Sequence, residues 1–79
     1  MEKKLVLQEV NSIFLDILDN ENIVLSYESS AKEIDEWDSL THIQLVVAIE
    51  KHFGLRFNSK EIQTWKNVGE MIDCICNKK

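Results

Sequence analysis

Asp38, Ser39 and His42 stand together in the stretch Ile34-Asp35-Glu36-Trp37-Asp38-Ser39-Leu40-Thr41-His42-Ile43. Their types are those that move protons and acyl groups. On a helix, residues 39 and 42 share a face. With Asp38 or Asp35 nearby they can be drawn as nucleophile, base and orienting acid. Spacing alone does not make that arrangement work, because the base must be held in line inside a dry pocket. The chain also shows no glycine-rich strand–turn–helix or oxyanion loop. Hydrolysis is therefore a poor reading, and His42 reads as a surface residue beside the serine. Ser39 has two other uses. It opens an uninterrupted helical pattern, where several backbone N–H groups lack intrahelical partners. There it can cap the helix, or bear an attached anionic group that meets those donors and the positive end of the helix dipole.

Metal chemistry finds little support. His42 and His52 are far apart, Cys74-Ile75-Cys76 lacks the two-residue spacer of common zinc sites, and the acidic segment lacks the alternating ligands and central glycine of an EF-hand. Trp37 and Trp65 could stack on a ligand, but in so short a chain they read first as anchors of the core. The two cysteines would point to different faces of a helix, so a disulfide between them is geometrically poor and reduced thiols are expected.

The elements that must position Ser39 follow from periodicity. A chain of 79 residues, without proline and with glycine only at 54 and 69, suits one small helical domain. A first helix is expected from Lys3 to Leu18, with Val6, Val10, Ile13, Phe14 and Ile17 as its apolar stripe and Leu5 and Leu18 widening it. A long connection from Asn20 to Asp38 follows. Ile23, Val24, Leu25 and Tyr27 should pin its first half, Ile34 and Trp37 its second, and Ser29-Ser30-Ala31 should add a brief turn of helix.

The second helix should run from Ser39 to His52. Leu45, Val46, Ile49 and Phe53 form its core stripe, while Leu40, Ile43 and Val47 form a second apolar row beside Ser39. Gly54 suits the left-handed stop. Asn58 with Glu61 forms a capping signature for a short third helix carrying Ile62 and Trp65, and Asn67 with Glu70 repeats it for a fourth, whose Val68, Met71, Ile72 and Ile75 face the core. The fold class is all-α: a small four-helix bundle of three main helices and a short third, with a long first loop.

The net charge of −5 argues against nucleic acid as a partner. Acid is concentrated ahead of the second helix, where Asp16, Asp19, Glu21, Glu28, Glu33, Asp35, Glu36 and Asp38 stand against the single cation Lys32. That run is either a solvated face or a surface that steers basic partners toward the helix mouth. The opening Met1-Glu2-Lys3-Lys4 leads into a segment broken by Gln8, Glu9 and Asn11, which fits neither a signal peptide nor membrane insertion; a cytoplasmic monomer is expected.

Asp38-Ser39-Leu40, followed by Ile43, Leu45-Val46, Ala48-Ile49-Glu50 and Phe53-Gly54, resembles the modification-site helix of acyl carrier proteins. Phe57, Glu61-Ile62 and Asn67-Val68-Gly69-Glu70 resemble the family's third helix and the entry to its fourth. The resemblance spans essentially the whole chain. It implies a non-enzyme whose Ser39 bears 4'-phosphopantetheine, transferred from coenzyme A by a phosphopantetheinyl transferase. Acyl or aminoacyl groups would travel on that arm as thioesters, from a loading enzyme to a downstream acyltransferase or synthase. Asp38 matches the acid that precedes the modified serine. Leu40, Ile43 and Val47 match partner-docking positions, with Asp35, Glu36 and Trp37 in the lead-in beside them.

The departures narrow the expectation. Carriers of general fatty acid biosynthesis resemble one another in a strongly acidic second helix, whereas here the equivalent positions hold Thr41, Gln44, Lys51 and His52, and only Glu50 is acidic. Trp37 stands where small residues are usual. Carriers with such a Trp-Asp-Ser-Leu entry resemble those of dedicated pathways: polyketide or nonribosomal peptide assembly, aminoacyl transfer, or sugar and surface-polymer modification. The alternative from another class is a small helical interaction module that keeps the fold without modification.

Overall fold

The computed structural model describes residues 2–78. They form four helices and no strand: α1 (Lys3–Leu18), α2 (Ser39–Phe53), α3 (Ser59–Thr64) and α4 (Val68–Lys78). The all-α bundle with a short third helix is as the apolar periodicity implies.

On α1 the i, i+4 series Val6, Val10, Phe14, Leu18 is buried, while Ile13 and Ile17 flank it half-buried. Leu5 does not widen the stripe. It is more than half exposed, whereas Leu7, two residues on, is half-buried against the core. Asp19 in the left-handed region ends the helix, its N–H returning to the Leu15 carbonyl.

The connection across residues 20–38 is held by polar straps as much as by apolar anchors. The Asn11 side chain on α1 accepts from Leu25 N at 2.7 Å and donates to the Ile23 carbonyl at 3.5 Å. This orients Ile23 and Leu25 into the core and turns Val24, between them, outward to 87% exposure. Tyr27 is likewise exposed. Its contribution comes from its backbone: its carbonyl accepts from Gly69 N, and the Ser29 carbonyl accepts from Val68 N, at 2.7 and 2.9 Å. Residues 29–31 form no helical turn. Ser29 is buried, its hydroxyl accepting from Ser26 N, and the chain bends through a turn closed by Glu33 N on the Ser30 carbonyl.

Leu45, Val46, Ile49 and Phe53 of α2 face the core, and Gly54 at φ 66° stops the helix one residue beyond the expected His52. Asn58 and Glu61 make the expected reciprocal capping box on α3. That helix ends at Thr64, so Trp65 lies just past it, its ring edge-on to Phe57 at 4.8 Å. Asn67 caps α4 by accepting from Glu70 N. The Glu70 carboxylate reaches Lys66 N rather than Asn67 N, one residue earlier than a standard box. Val68, Met71, Ile72 and Ile75 complete a core shared with α1, α2 and the loop.

Candidate functional site

Ser39 is the first helical residue of α2, exposed, and its hydroxyl makes no hydrogen bond among the described residues. It does not cap the helix. Asp38 does, accepting from Leu40 N and Thr41 N at 3.0 Å each, while the Thr41 hydroxyl accepts from Asp38 N and donates to the Glu36 carbonyl, both at 2.8 Å. The expectation that an anion on Ser39 would meet free N–H donors is corrected in part: the Asp38 carboxylate already occupies those of Leu40 and Thr41. The Ser39 N–H, which has no partner among the described residues, and the field of the helix end remain for an attached group. The hydrogen bond from Thr41 N, and then those from the Thr41 hydroxyl and Leu40 N, hold the Asp38 carboxyl below the usual range despite some desolvation. It is an ionised cap at neutral pH.

His42 is not a surface residue. It is half-buried, and its Nδ1 accepts from Trp37 Nε1 at 3.0 Å, which assigns the ring proton to Nε2. The two rings lie nearly parallel, 20° and 6.0 Å apart. Burial pushes the His42 pKa down, partly offset by the Ile62 backbone, which favours the charged form. With Nδ1 engaged by an indole and the other nitrogen turned toward α3, His42 is not placed to deprotonate Ser39. The serine–histidine–aspartate drawing fails on geometry.

Trp37 is 7% exposed and packs edge-on against Phe14, ring centroids 5.0 Å apart. Trp37 is therefore first a core anchor, its N–H paired internally, and what it shows outside is only the edge that lines the groove beside Ser39. Between α2 and α3, with this pair forming part of its wall, runs an open groove of about 690 Å³ that starts at Ser39. Ile43, Ile62 and Trp65 line its apolar part, Asp38, Gln63 and Lys66 its polar part. Reading along the chain misplaced His42 at the surface and missed the capping role of Thr41 and the wall that α3 and Trp65 supply. Of the three, only the Asp38–Thr41 spacing carried a local signal, that of a capping box.

The family model for the phosphopantetheine attachment site matches residues 8–75. Acyl carrier proteins from Thermosynechococcus vestitus and Coprothermobacter proteolyticus are 31% and 29% identical to the chain. The first alignment covers 99% of this chain and 96% of its relative, the second 95% and 92%. This chain belongs to the acyl carrier protein family. The solution structure of a holo acyl carrier protein from Geobacter metallireducens superposes with a TM-score of 0.86 at 42% identity, over 91% of this chain and 83% of that one. The chain is thus a carrier rather than an enzyme, holds 4'-phosphopantetheine covalently, and works with partner enzymes. Among the described residues no helix is long and apolar enough to cross a membrane.

On the carrier's surface, Leu40, Ile43 and Val47 are 69%, 62% and 43% exposed and form one continuous row running away from Ser39. Asp35 and Glu36 are exposed at its start, although one Glu36 oxygen accepts from Asn20 Nδ2 at 2.7 Å. Along α2 the charge changes sign. The carboxylate of Glu50 accepts from Phe57 N at 2.8 Å, tying the α2–α3 link in place, and Lys51 and Arg56 line the surface around Val47. Among the acid-poor positions, Thr41 serves the cap and His52 meets Glu9 at 3.1 Å. Gln44 is exposed.

Proposed function

We propose that Ser39 bears the arm. The observation that carries this reading is the division of labour at the α2 mouth. Asp38 caps the helix, leaving the Ser39 hydroxyl exposed, unpaired and on a rigid first turn. The residues present fit the group: a phosphodiester on Ser39 Oγ lies at the positive helix end and does not compete for the N–H groups Asp38 already holds. When attached, the arm supplies a terminal thiol on which acyl groups are held as thioesters. Attachment needs the Ser39 oxygen to displace the nucleotide part of coenzyme A from phosphorus. One P–O bond forms, one breaks, the adenosine bisphosphate leaves, and the hydroxyl proton passes to a base of the transferase. Among the described residues none is placed to take that proton, His42 being engaged through Nδ1 and Asp38 by the helix N–H groups. That favours a separate phosphopantetheinyl transferase as the first partner.

We further read this carrier as serving a dedicated pathway rather than general fatty acid synthesis. Support comes from the docking row. Its apolar centre is flanked by carboxylates near Ser39 and by Lys51 and Arg56 at the far end, and Glu50 is tied to the backbone. A uniformly basic partner surface would meet like charge at that far end, which slows encounter and selects against it. The loading enzyme and the downstream acyltransferase or synthase should therefore present cations toward Asp35 and acid toward Arg56.

Incubation with coenzyme A and a broad-specificity phosphopantetheinyl transferase, followed by intact mass measurement, tests the attachment. One phosphopantetheine should be gained, and none in Ser39→Ala. A folded Ser39→Ala protein that still gained the arm would sink the assignment.

A further inference from the structure

We propose that the Trp37–His42 pair closes the bundle interior to the cargo. On this reading the carrier takes short or polar acyl groups, aminoacyl among them, and keeps them outside the core. The inference rests on Ser39 as the attachment point and names the cargo class of that same site. A saturated chain tethered at Ser39 gains by leaving water for any apolar space it can reach. The nearest such space lies behind the helix mouth, between the loop, α2 and α3, and Trp37 fills it. Its indole is 7% exposed and set edge-on to Phe14, while Leu45, Ile49, Met71 and Ile75 behind it are fully buried.

The ring is also latched. Trp37 Nε1 donates to His42 Nδ1 at 3.0 Å, and admitting a chain would separate the rings and break this part-buried hydrogen bond. The closure continues through the segments flanking α3: His42 lies 6.1 Å from Trp65, edge to face, and Trp65 packs on Phe57. What remains open to the arm is the groove outside this wall. Its Asp38, Gln63 and Lys66 suit polar groups, and its Ile43, Ile62 and Trp65 suit a small apolar or planar one.

The test loads the full chain with acetyl, butyryl, octanoyl and dodecanoyl groups, using a promiscuous phosphopantetheinyl transferase and the corresponding acyl-coenzyme A. Melting temperature and the methyl NMR shifts of Ile49, Met71, Ile72 and Ile75 are then measured. In the native chain neither should change with acyl length. In Trp37→Leu, or in His42→Ala should that variant fail to fold, octanoyl and dodecanoyl should raise the melting temperature above that of the acetyl form and move the core methyls. A length-dependent rise in the native chain would overturn the closure. So would a flat series in both native and opened proteins, since the pair would then not be what keeps chains out. Failure of any acyl-phosphopantetheine to attach would instead overturn the Ser39 reading beneath it, and intact mass separates that outcome from the others.

Discussion

Two helix mouths in this carrier solve the same problem in opposite ways. At α4 the first donors are given to the loop: Val68 N to the Ser29 carbonyl and Gly69 N to the Tyr27 carbonyl, with Glu70 N on Asn67. The loop lies so close that a Cβ on Gly69 would stand 2.8 Å from the Tyr27 oxygen. At α2 the Leu40 and Thr41 donors are satisfied by the chain's own Asp38, and among the described residues no segment lies over Ser39. One mouth is sealed and joins distant segments; the other is complete in itself and open. A mouth that needs nothing from its surroundings can accept a bulky substituent without disturbing the fold, and that is what a carrier requires.

The largest break in this contrast should come from Gly69→Ala. Its methyl would meet backbone rather than a yielding side chain, so a loss of about 1–3 kcal/mol is expected, read as a lower denaturation midpoint with an unchanged slope. Arm attachment to the folded fraction should persist. Stability equal to the native chain would show that the α4 seal is looser than described.

At the open mouth, Thr41→Val keeps the shape but removes the hydroxyl that accepts from Asp38 N and donates to the Glu36 carbonyl. About 1 kcal/mol should be lost, visible in chemical denaturation. The effect should be local, slowing arm attachment only so far as the α2 entry frays. Amide exchange should rise at Leu40 and Thr41 and remain native at Val68 and Gly69. Equal loosening at both mouths would contradict their independence.

Acid should sharpen the comparison further, because a histidine stands behind only one mouth. The His42 pKa is lowered in the fold from an ordinary 6.5, chiefly by burial. The unfolded chain therefore takes up a proton at a pH where folded His42 remains neutral. The contribution of this site to stability is fully present above about pH 6.5 and is lost as pH falls from there through the lower folded value. Trp37 fluorescence should report it, and His42→Gln should flatten the profile in that window. A profile unchanged by that substitution would remove His42 from the latch.

Much of the fold was legible from residue order. The i, i+4 stripes, Gly54 and the Asn58–Glu61 spacing marked every helix to within a residue or two. Legibility failed where partners are distant in sequence or matched by backbone. Nothing about Val24 distinguishes it from Ile23 and Leu25 until the Asn11 amide fixes their direction. Gly69 reads as an ordinary helical glycine until the Tyr27 carbonyl arrives beside it. Ser39 was found through its register, but its freedom was not, because Asp38 and Ser39 are both good caps and only the backbone angles decide which one serves. His42 misled for a related reason: a polar residue on the outer face of α2 becomes interior once Trp37 of the loop folds against it.

The smallest effect concerns recognition. Thr41 is committed to the cap, so of the acid-poor α2 positions Gln44 is the informative one. Gln44→Glu should modestly raise the rate of loading by a partner with a basic docking surface at low ionic strength, and the gain should vanish as salt is added. A salt-independent gain would point to a contact rather than to charge.

The most direct measurement is fragmentation mass spectrometry of the carrier purified from its native host, locating the arm and weighing what it holds. The expected result is a single phosphopantetheine on the peptide containing Ser39, bearing a short or polar acyl group. An arm on Ser12, Ser29 or another serine, or an unmodified Ser39 in the folded protein, would contradict the assignment of the open α2 mouth as the site of attachment.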